Sequence, residues 1–406
     1  MKTTLIALTV LGLLAPKQET DFTLLHSPQD DLKKNLAGAY MRAADWLVGQ
    51  QDESGAWKQG PPDKAQPSLA YTGLMVAALA EAPPDMRPKY AAAVKKGAGY
   101  LVSKQNTDGS FGEGPGNAYL KVYTTSIALM ALSLGAPDQK DAIGNARGYL
   151  KNNQLKEGVD KGSLGYGDKE LKMDQGKPVE KQSIPNLSTT GFAAEGLARS
   201  GLPKDDPFWR LVVEYVQKCQ NNSETNTDKE FLARLKEKGL SVGDDGGLYY
   251  AADPKDMKAG TVKLTDKEII KSYGSMTYDG LKTYIYAGLT KDDPRVKAAL
   301  DWIRKNYSVE AHPGFAFDEK SRTHIMGIFY YYLMMARAFD ALGEKTFKTI
   351  DGVEHKWANE LGGQLLKIQQ EEKMWKNENP RWWEGDPLLV TSYVLNTLNA
   401  VMKHVD

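Results

Sequence analysis

A short motif recurs along this chain at the ends of predicted helices, and it constrains the fold more than any other feature. In its clearest copy, Lys96 to Phe111, an aromatic–aliphatic pair is followed by Gln105, then by Gly109, and finally by the aromatic Phe111. The glycine permits a tight turn, and the aromatic residue after it is placed to pack back onto the fold. Self-similarity along a chain is the signature of a repeat architecture.

Six copies align on the aromatic–aliphatic pair, and the fifth and sixth are degenerate. The glutamine position is occupied by Gln51, Gln105, Gln154, Gln220, Tyr307 and Gln370. A second predicted helix follows each turn and is apolar nearly all round, which favours a buried position inside a helical assembly. In five copies a threonine opens this helix: Thr72, Thr125, Thr190, Thr277 and Thr391. A threonine before an apolar run predicts a helix N-cap.

The first helix of each pair carries charged residues on one side, as an outer layer would. Six pairs with one inner and one outer layer predict an all-α fold, an (α/α)6 barrel or toroid of six helix-pair repeats. The alternative is an open solenoid, in which helix pairs stack into a superhelix. The toroid is predicted to span residues 35–406, after a linker over residues 21–34.

Residues 1–20 begin with one basic residue, Lys2, ahead of an apolar run, as in a secretory signal peptide. This pattern predicts export to the periplasm or beyond. The alternative is an apolar arm that packs on the barrel of a cytoplasmic protein. No stretch approaches the roughly 20 apolar residues of a membrane-spanning helix, so membrane contact would be confined to the surface.

The charges balance, with 52 Lys+Arg against 52 Asp+Glu. Nucleic-acid binding requires a basic face, so no nucleic-acid partner is predicted. None of the five histidines is paired with another histidine at helical spacing. No metal and no cofactor are therefore predicted. His324, just before the fifth inner helix, is interpreted as a rim residue, with a ligand role as its alternative.

The stretch from Lys96 to Phe111 resembles the Gln-Trp repeat motif of squalene and hopene cyclases. From about residue 36 to about residue 402 the chain resembles the prenyltransferase/squalene-oxidase repeat proteins. This resemblance implies the terpenoid cyclase/protein prenyltransferase toroid, with an isoprenoid or other apolar ligand in its central cavity. The sequence lacks both the Asp-x-Asp-Asp acid motif of the cyclases and the Asp-x-Cys zinc motif of the prenyltransferases. Catalysis, as a cyclase-like isomerase or a transferase, is left open.

Asp279 is the first candidate catalytic residue, because it is predicted to lie in the first turn of the fourth inner helix and to face the cavity. As a general acid it would act with its neighbour Tyr278. The alternative is structural, since an acidic residue near a helix N-terminus is favourable with the helix dipole.

A second candidate cluster directly precedes the sixth inner helix. It combines the aromatic residues Trp382 and Trp383 with the carboxylates Glu384 and Asp386. Such a combination suits sugar binding and glycosidic chemistry, or a loop that packs tryptophan against the repeat. Tyr331 on the fifth inner helix is a further ligand-binding candidate, because an aromatic face stabilises a cation through its quadrupole; the alternative is a core residue.

Three functions therefore remain open. The first, implied by the resemblance, is binding or transformation of an isoprenoid or other apolar ligand. The second is a carbohydrate-active toroid, and the third is a non-catalytic scaffold with a degenerate site. An apolar cavity favours the first, an open cleft with paired carboxylates the second, and a filled barrel the third. Two insertions, residues 155–187 and 221–273, are predicted to be either cavity rims or decoration.

Overall fold

The computed structural model describes residues 29–61, 63–112, 120–167, 170–174, 177–181, 184–264, 266–371 and 373–406. The predicted signal peptide, residues 1–20, lies outside the described residues. The first helix begins at Gln29, within the segment predicted as a linker. Asp31 in its first turn is favourable with the helix dipole, which helps to explain why the helix starts earlier than expected.

The described residues form thirteen α-helices. In chain order they are α1 (Gln29–Val48), α2 (Leu69–Ala80), α3 (Arg87–Ser103), α4 (Lys121–Gly135), α5 (Lys140–Asn153), α6 (Leu187–Arg199), α7 (Pro207–Lys218), α8 (Lys229–Glu237), α9 (Gly274–Tyr286), α10 (Pro294–Asn306), α11 (Ile328–Leu342), α12 (Trp357–Lys367) and α13 (Pro387–His404). The inner helices α2, α4, α6, α9, α11 and α13 are buried along nearly their whole length.

The inner helices form a closed ring. Each packs against the next in chain order, and α13 returns to pack against α2. The outer helix α1 contacts both α12 and α13, so the two chain ends of the toroid are also joined in the outer layer. These contacts confirm the predicted (α/α)6 barrel and exclude the open solenoid. Among the described residues, no helix combines the length and apolar character needed to span a membrane.

The repeat glutamines tie each turn to the next outer helix. The Nε2 atom of Gln105 donates to the carbonyl oxygen of Gly109 in its own turn, at 3.0 Å, and to that of Ala142 in α5, at 2.8 Å. Gln51, Gln154 and Gln220 make the same pair of bonds in their repeats. One side chain therefore satisfies two backbone carbonyls and fixes the position of the following repeat.

The repeat threonines have a different role from the predicted one. Thr72 lies inside α2 rather than at its N-cap, which is Ser68. The Thr72 hydroxyl donates to the carbonyl oxygen of Ser68 at 2.7 Å and accepts from the backbone N–H of Trp57 at 3.0 Å. The same acceptance recurs at Thr125, Thr190, Thr277 and Thr391. The threonines therefore fasten the preceding turn to the inner helix, and the N-cap prediction is wrong.

Short strands decorate the loops. The antiparallel hairpins are β1 (Trp57–Gln59) with β2 (Gln66–Ser68), β3 (Glu170–Asp174) with β4 (Lys177–Lys181), and β8 (Phe347–Lys348) with β9 (Glu354–His355). A small sheet of β5 (Leu240–Ser241), β6 (Thr261–Lys263) and β7 (Glu268–Ile270) has the order β5-β7-β6.

The second insertion contains α8. Its segment from Gly246 to Tyr250 makes one isolated bridge, between Gln220 and Leu248. The carbonyl oxygen of Gly246 also accepts from the side chain of Gln220, and the N–H of Leu248 donates to the hydroxyl of Thr277.

Candidate ligand site in the central cavity

A cavity of about 460 Å³ opens where the N-terminal ends of the six inner helices converge. Its described lining consists of Gln59, Ala70, Tyr71, Leu74, Leu120, Tyr123, Thr124, Ile127, Tyr166, Ser188, Tyr250, Lys258, Tyr273, Ser275, Met276, Gly327, Tyr330, Trp382, Trp383, Glu384, Leu389 and Tyr393. Both insertions contribute to this wall, the first through Tyr166 and the second through Tyr250, Lys258 and Tyr273. The barrel is therefore neither filled nor lined only by its inner helices.

The wall is mostly aromatic and aliphatic, with hydroxyl groups distributed among the rings. Seven tyrosines and two tryptophans belong to the described lining. Several of the rings pack on one another: the centroids of Phe192, beneath the wall, and Tyr330 are 6.1 Å apart, and those of Tyr330 and Tyr393 are 6.2 Å apart. A ligand in this space would meet ring faces on several sides and phenol oxygens at defined points.

Asp279 lies beneath the cavity instead of facing it. It stands in the second turn of α9, not the first, and is fully buried against Gly191 of α6. The hydroxyl of Tyr330 donates to its Oδ2 atom at 3.1 Å, so Tyr330 separates this carboxylate from the cavity. The side chain of Asp279 is therefore one layer deeper than the sequence suggested.

A buried charge network holds Asp279 in place. The Nζ atom of Lys282 lies 2.9 Å from Oδ1 of Asp279 and 3.2 Å from Oε2 of Glu195. Arg337 and Arg199 also pair with Glu195, at 2.7 and 2.8 Å. Burial raises the pKa of Asp279, and the Lys282 ammonium opposes that rise. For Glu195 the three cations outweigh burial and hold its pKa well below the usual range.

Tyr278 and Tyr331 lie away from the cavity. The ring of Tyr278 packs edge-on against Tyr331 and Phe339, with centroids 5.7 and 5.5 Å away. Tyr331 donates its hydroxyl to the carbonyl oxygen of Ser308 at 2.7 Å and stacks on His312. Successive residues of a helix point in different directions, so Tyr278 cannot share the face of Asp279. The geometry supports the core reading for both tyrosines.

Trp382 and Trp383 form part of the cavity mouth. Both have left-handed backbone conformations, with φ of 56° and 69°, which residues other than glycine rarely adopt. The ring of Trp382 lies over Gly327, where an added Cβ would come within 2.6 Å of it. Trp383 is 69% exposed. The predicted aromatic pair thus includes one ring packed at the mouth and one that faces solvent.

Glu384 lines the cavity but serves as an N-terminal cap for α11. Its Oε1 atom accepts from the backbone N–H of Tyr330 at 2.7 Å, and Oε2 accepts from that of Phe329 at 3.3 Å and from Asn377 at 2.6 Å. Burial raises its pKa to about 7, against these hydrogen bonds. Because both oxygens already accept hydrogen bonds from the protein, this carboxylate is placed to cap a helix and not to donate a proton to a ligand.

Asp386 is the N-cap of α13. Its Oδ1 atom accepts from the backbone N–H of Leu388, and Oδ2 accepts from the hydroxyl of Tyr71, both at 2.9 Å. It is outside the described cavity lining. The two carboxylates of the predicted cluster therefore hold helix ends, and one of them also borders the ligand space.

Sequence reasoning missed His312, which is 1% exposed. Its Nε2 atom accepts from the backbone N–H of Ser275 at 2.9 Å, and Nδ1 donates to the carbonyl oxygen of Met326 at 2.7 Å. His324 is outside the described cavity lining, with its ring stacked on the exposed Phe317. In the part of the chain that is described, no cluster of three or more His, Cys, Asp or Glu residues is arranged to hold a metal.

The cavity-facing residues also follow a register that the sequence analysis did not use. Leu74, Ile127 and Tyr393 each stand two residues after the repeat threonine, and all three line the cavity. Asp279 stands at the same register. Position relative to the threonine therefore marks the inward layer of each helix, although it does not show that Tyr330 covers Asp279.

No protein-family model matches this sequence, and no curated protein matches it. Solved structures do match. A variant of the type II terpene cyclase MstE from Scytonema, bound to its product merosterolic acid A, has a TM-score of 0.55 and 14% identity, covering 92% of this chain and 99% of that one. A family 76 glycoside hydrolase (mannosidase) from Bacteroides thetaiotaomicron has a TM-score of 0.55 and 12% identity, covering 91% and 98%.

A second variant of MstE, bound to the substrate geranylgeranyl dihydroxybenzoate, matches with a TM-score of 0.54 and 13% identity, covering 92% of this chain and 99% of that one. At such identities the likeness establishes the fold. The chain has the α/α toroid fold that is also found in type II terpene cyclases and in family 76 glycoside hydrolases. Since those proteins carry out different chemistry, the fold alone does not select a function.

Proposed function

We propose that this protein binds an isoprenoid, or an apolar ligand of similar shape, in the central cavity. The observation that carries the proposal is the composition of the wall. Ring faces of seven tyrosines and two tryptophans combine there with aliphatic side chains such as Leu74 and Ile127. Burying apolar ligand surface against such a wall contributes roughly 25 cal/mol per Å².

The size of the cavity supports one small ligand. Its volume of about 460 Å³ falls within the roughly 300–1,000 Å³ typical of small-molecule sites. Aromatic faces also attract the electron-poor edges of unsaturated groups, so an alkene chain is a better fit than a saturated one. The solved structures of MstE with a geranylgeranyl substrate and with a product are consistent with such a ligand in a toroid of this fold.

The proposal is for binding, with turnover not included. A cyclase-type acid must reach the ligand, but Asp279 is covered by Tyr330 and paired with Lys282. Glu384 reaches the cavity, but both its oxygens accept hydrogen bonds from the protein. Catalysis by either residue would first require breaking these contacts.

The carbohydrate alternative receives less support from the cavity. Glycosidases of the two common mechanisms need a pair of carboxyl groups flanking the bond that is cleaved. In the described lining the one carboxylate is Glu384, and Asp386 is engaged by α13 and by Tyr71. An aromatic wall with one engaged carboxylate is better suited to an apolar chain.

A cavity-filling substitution tests the proposal. Leu74→Trp places a large side chain in the ligand space, whereas Met41→Trp adds the same side chain at a position on α1 that is 41% exposed. Binding of geranylgeraniol, followed by the change in tryptophan fluorescence, should be lost in Leu74→Trp and kept in Met41→Trp. Circular dichroism establishes that both variants are folded. Equal binding by both folded variants would exclude the cavity as the site.

A further inference from the structure

The polar atoms of the cavity wall are connected to carboxylates behind the wall. The hydroxyl of Tyr330 donates to Oδ2 of Asp279 at 3.1 Å and lies 3.0 Å from Oγ of Ser188. Both Tyr330 and Ser188 line the cavity, and Asp279 is fully buried beneath them. These three residues come from three different inner helices, α11, α6 and α9.

The direction of these hydrogen bonds follows from the number of protons available. The Oδ1 atom of Asp279 faces the Lys282 ammonium at 2.9 Å, and its Oδ2 atom accepts from the hydroxyl of Tyr330. Tyr330 has a single hydroxyl proton, and it is used in the hydrogen bond to Asp279. In the bond with Ser188, the Tyr330 oxygen must therefore accept and Ser188 must donate.

Ser188 has then used its own proton, and it presents only lone pairs to the cavity. A ligand hydroxyl that reaches this oxygen can donate to one of them. On the opposite side of the ring, Tyr71 likewise uses its hydroxyl proton in a hydrogen bond to Oδ2 of Asp386, so its oxygen can only accept from a ligand. The carboxylates of Asp279 and Asp386 thus make the cavity rich in acceptors.

We propose that the Ser188–Tyr330–Asp279 chain selects ligands whose apolar body ends in a hydroxyl group, because that hydroxyl donates to the oxygen of Ser188. This inference rests on the proposed function and specifies the polar end of its ligand. Asp279 and Tyr330 act as positioning residues that fix the orientation of the Ser188 hydroxyl. An acceptor-only group at the same place would meet lone pairs and leave the Ser188 oxygen unpaired.

A matched pair of probes measures this preference. Geranylgeraniol carries a hydroxyl donor, whereas its methyl ether has the same chain with an acceptor only. Wild-type protein should bind the alcohol about tenfold more tightly, which corresponds to one net hydrogen bond. Ser188→Ala and Tyr330→Phe should reduce the preference to less than about twofold. The effect of the extra methyl group cancels, because every protein meets the same two probes.

Two variants serve as controls. Ser126→Ala removes a buried serine hydroxyl on α4 that bonds its own helix, and Tyr331→Phe removes a tyrosine hydroxyl on α11 that points away from the cavity. Both should keep the tenfold preference. A preference that persists in Ser188→Ala and Tyr330→Phe would overturn the inference. So would equal binding of both probes by wild-type protein, which would leave the proposed function intact. Binding of neither probe would overturn both.

Discussion

The hydroxyl of Tyr71 donates a 2.9 Å hydrogen bond to Oδ2 of Asp386, which is 315 residues further along the chain. Tyr71 is on α2, the first inner helix, and Asp386 caps α13, the last. This bond therefore joins the two ends of the inner ring at the cavity mouth. It fastens the closure of the toroid beside the ligand space.

Removing this bond should lower the free energy of unfolding, and the effects of changing Tyr71 and Asp386 should not be additive. We expect Tyr71→Phe to lower the free energy of unfolding by about 1 kcal/mol, since one half-buried hydrogen bond is lost. When Tyr71→Phe is made in a protein that already carries Asp386→Asn, the loss in the free energy of unfolding should be smaller, because the carboxylate acceptor has already been replaced. Urea unfolding of the two single variants and the double variant measures the coupling. Strictly additive effects would show that the bond contributes nothing to closure.

The repeat glutamines should contribute differently to the free energy of unfolding, depending on whether they bond to the next outer helix or only to their own turn. Gln154 is 2% exposed and donates to the carbonyl oxygens of Gly162 and Phe208, each at 3.1 Å. We expect Gln154→Leu to cost about 2–3 kcal/mol, because two buried carbonyls lose their donor. Gln370 is half-buried and bonds Lys376 in its own turn, so Gln370→Leu should cost less than about 1 kcal/mol. Chemical unfolding compares the two, and equal losses would contradict the tethering role.

The charge network beneath the cavity should be sensitive to loss of its central anion. Glu195 is fully buried and pairs with Arg337, Lys282 and Arg199. Glu195→Gln leaves buried cations without their shared partner, which should cost about 3–5 kcal/mol.

A surface ion pair provides the control for this prediction. Asp292 is 94% exposed and lies 3.8 Å from Lys297. Asp292→Asn should change the free energy of unfolding by less than about 0.5 kcal/mol. If Glu195→Gln were as mild as Asp292→Asn in thermal and urea unfolding, the network would have no part in stability.

His312 should make stability fall on acidification. Burial lowers its pKa to about 4 from an ordinary value of 6.5. Between these values the unfolded chain binds the proton more readily, so stability is complete above pH 6.5 and declines toward pH 4. The integrated loss is about 3 kcal/mol.

A variant separates His312 from other titrating groups. Glu384, whose pKa is raised to about 7, acts in the opposite sense, since its stabilisation falls as pH rises from about 4.5 to 7. The pH profile of wild-type unfolding minus that of His312→Asn isolates the histidine. A difference that does not change between pH 7 and pH 4 would refute a neutral buried imidazole.

The fold could be predicted because its signal is local and repeated. The spacing from Gln105 to Gly109 reappears in the early repeats, and each inner helix is apolar enough to identify a buried layer. Helix α13 begins at Pro387, directly after the cluster that was predicted to precede the sixth inner helix, and proline is favourable in the first turn of a helix. Ring closure was favoured by the count of six pairs, but it is established by the contact of α13 with α2.

The site was harder to predict because its contacts join distant segments. Nothing near Asp279 in the sequence shows that Tyr330 of α11 covers it, or that Glu195 of α6 shares its partner Lys282. Only the pairing of Asp279 with Lys282, three residues later on α9, follows from helical spacing. The bonds that Glu384 accepts from the first turn of α11 were likewise hidden, because that helix begins 56 residues earlier, at Ile328. Residue type identified chemically capable groups, and tertiary packing decided which of them reach the cavity.

The most direct test of the central claim is mass spectrometry of an organic extract of the protein purified from its native source. We expect a bound isoprenoid in near-equimolar amount, released on denaturation and absent from the Leu74→Trp variant prepared in the same way. A hydroxyl-terminated species would also support the role assigned to Ser188. An extract free of isoprenoids and other apolar species, from protein that is folded and also fails to bind geranylgeraniol, would contradict the account.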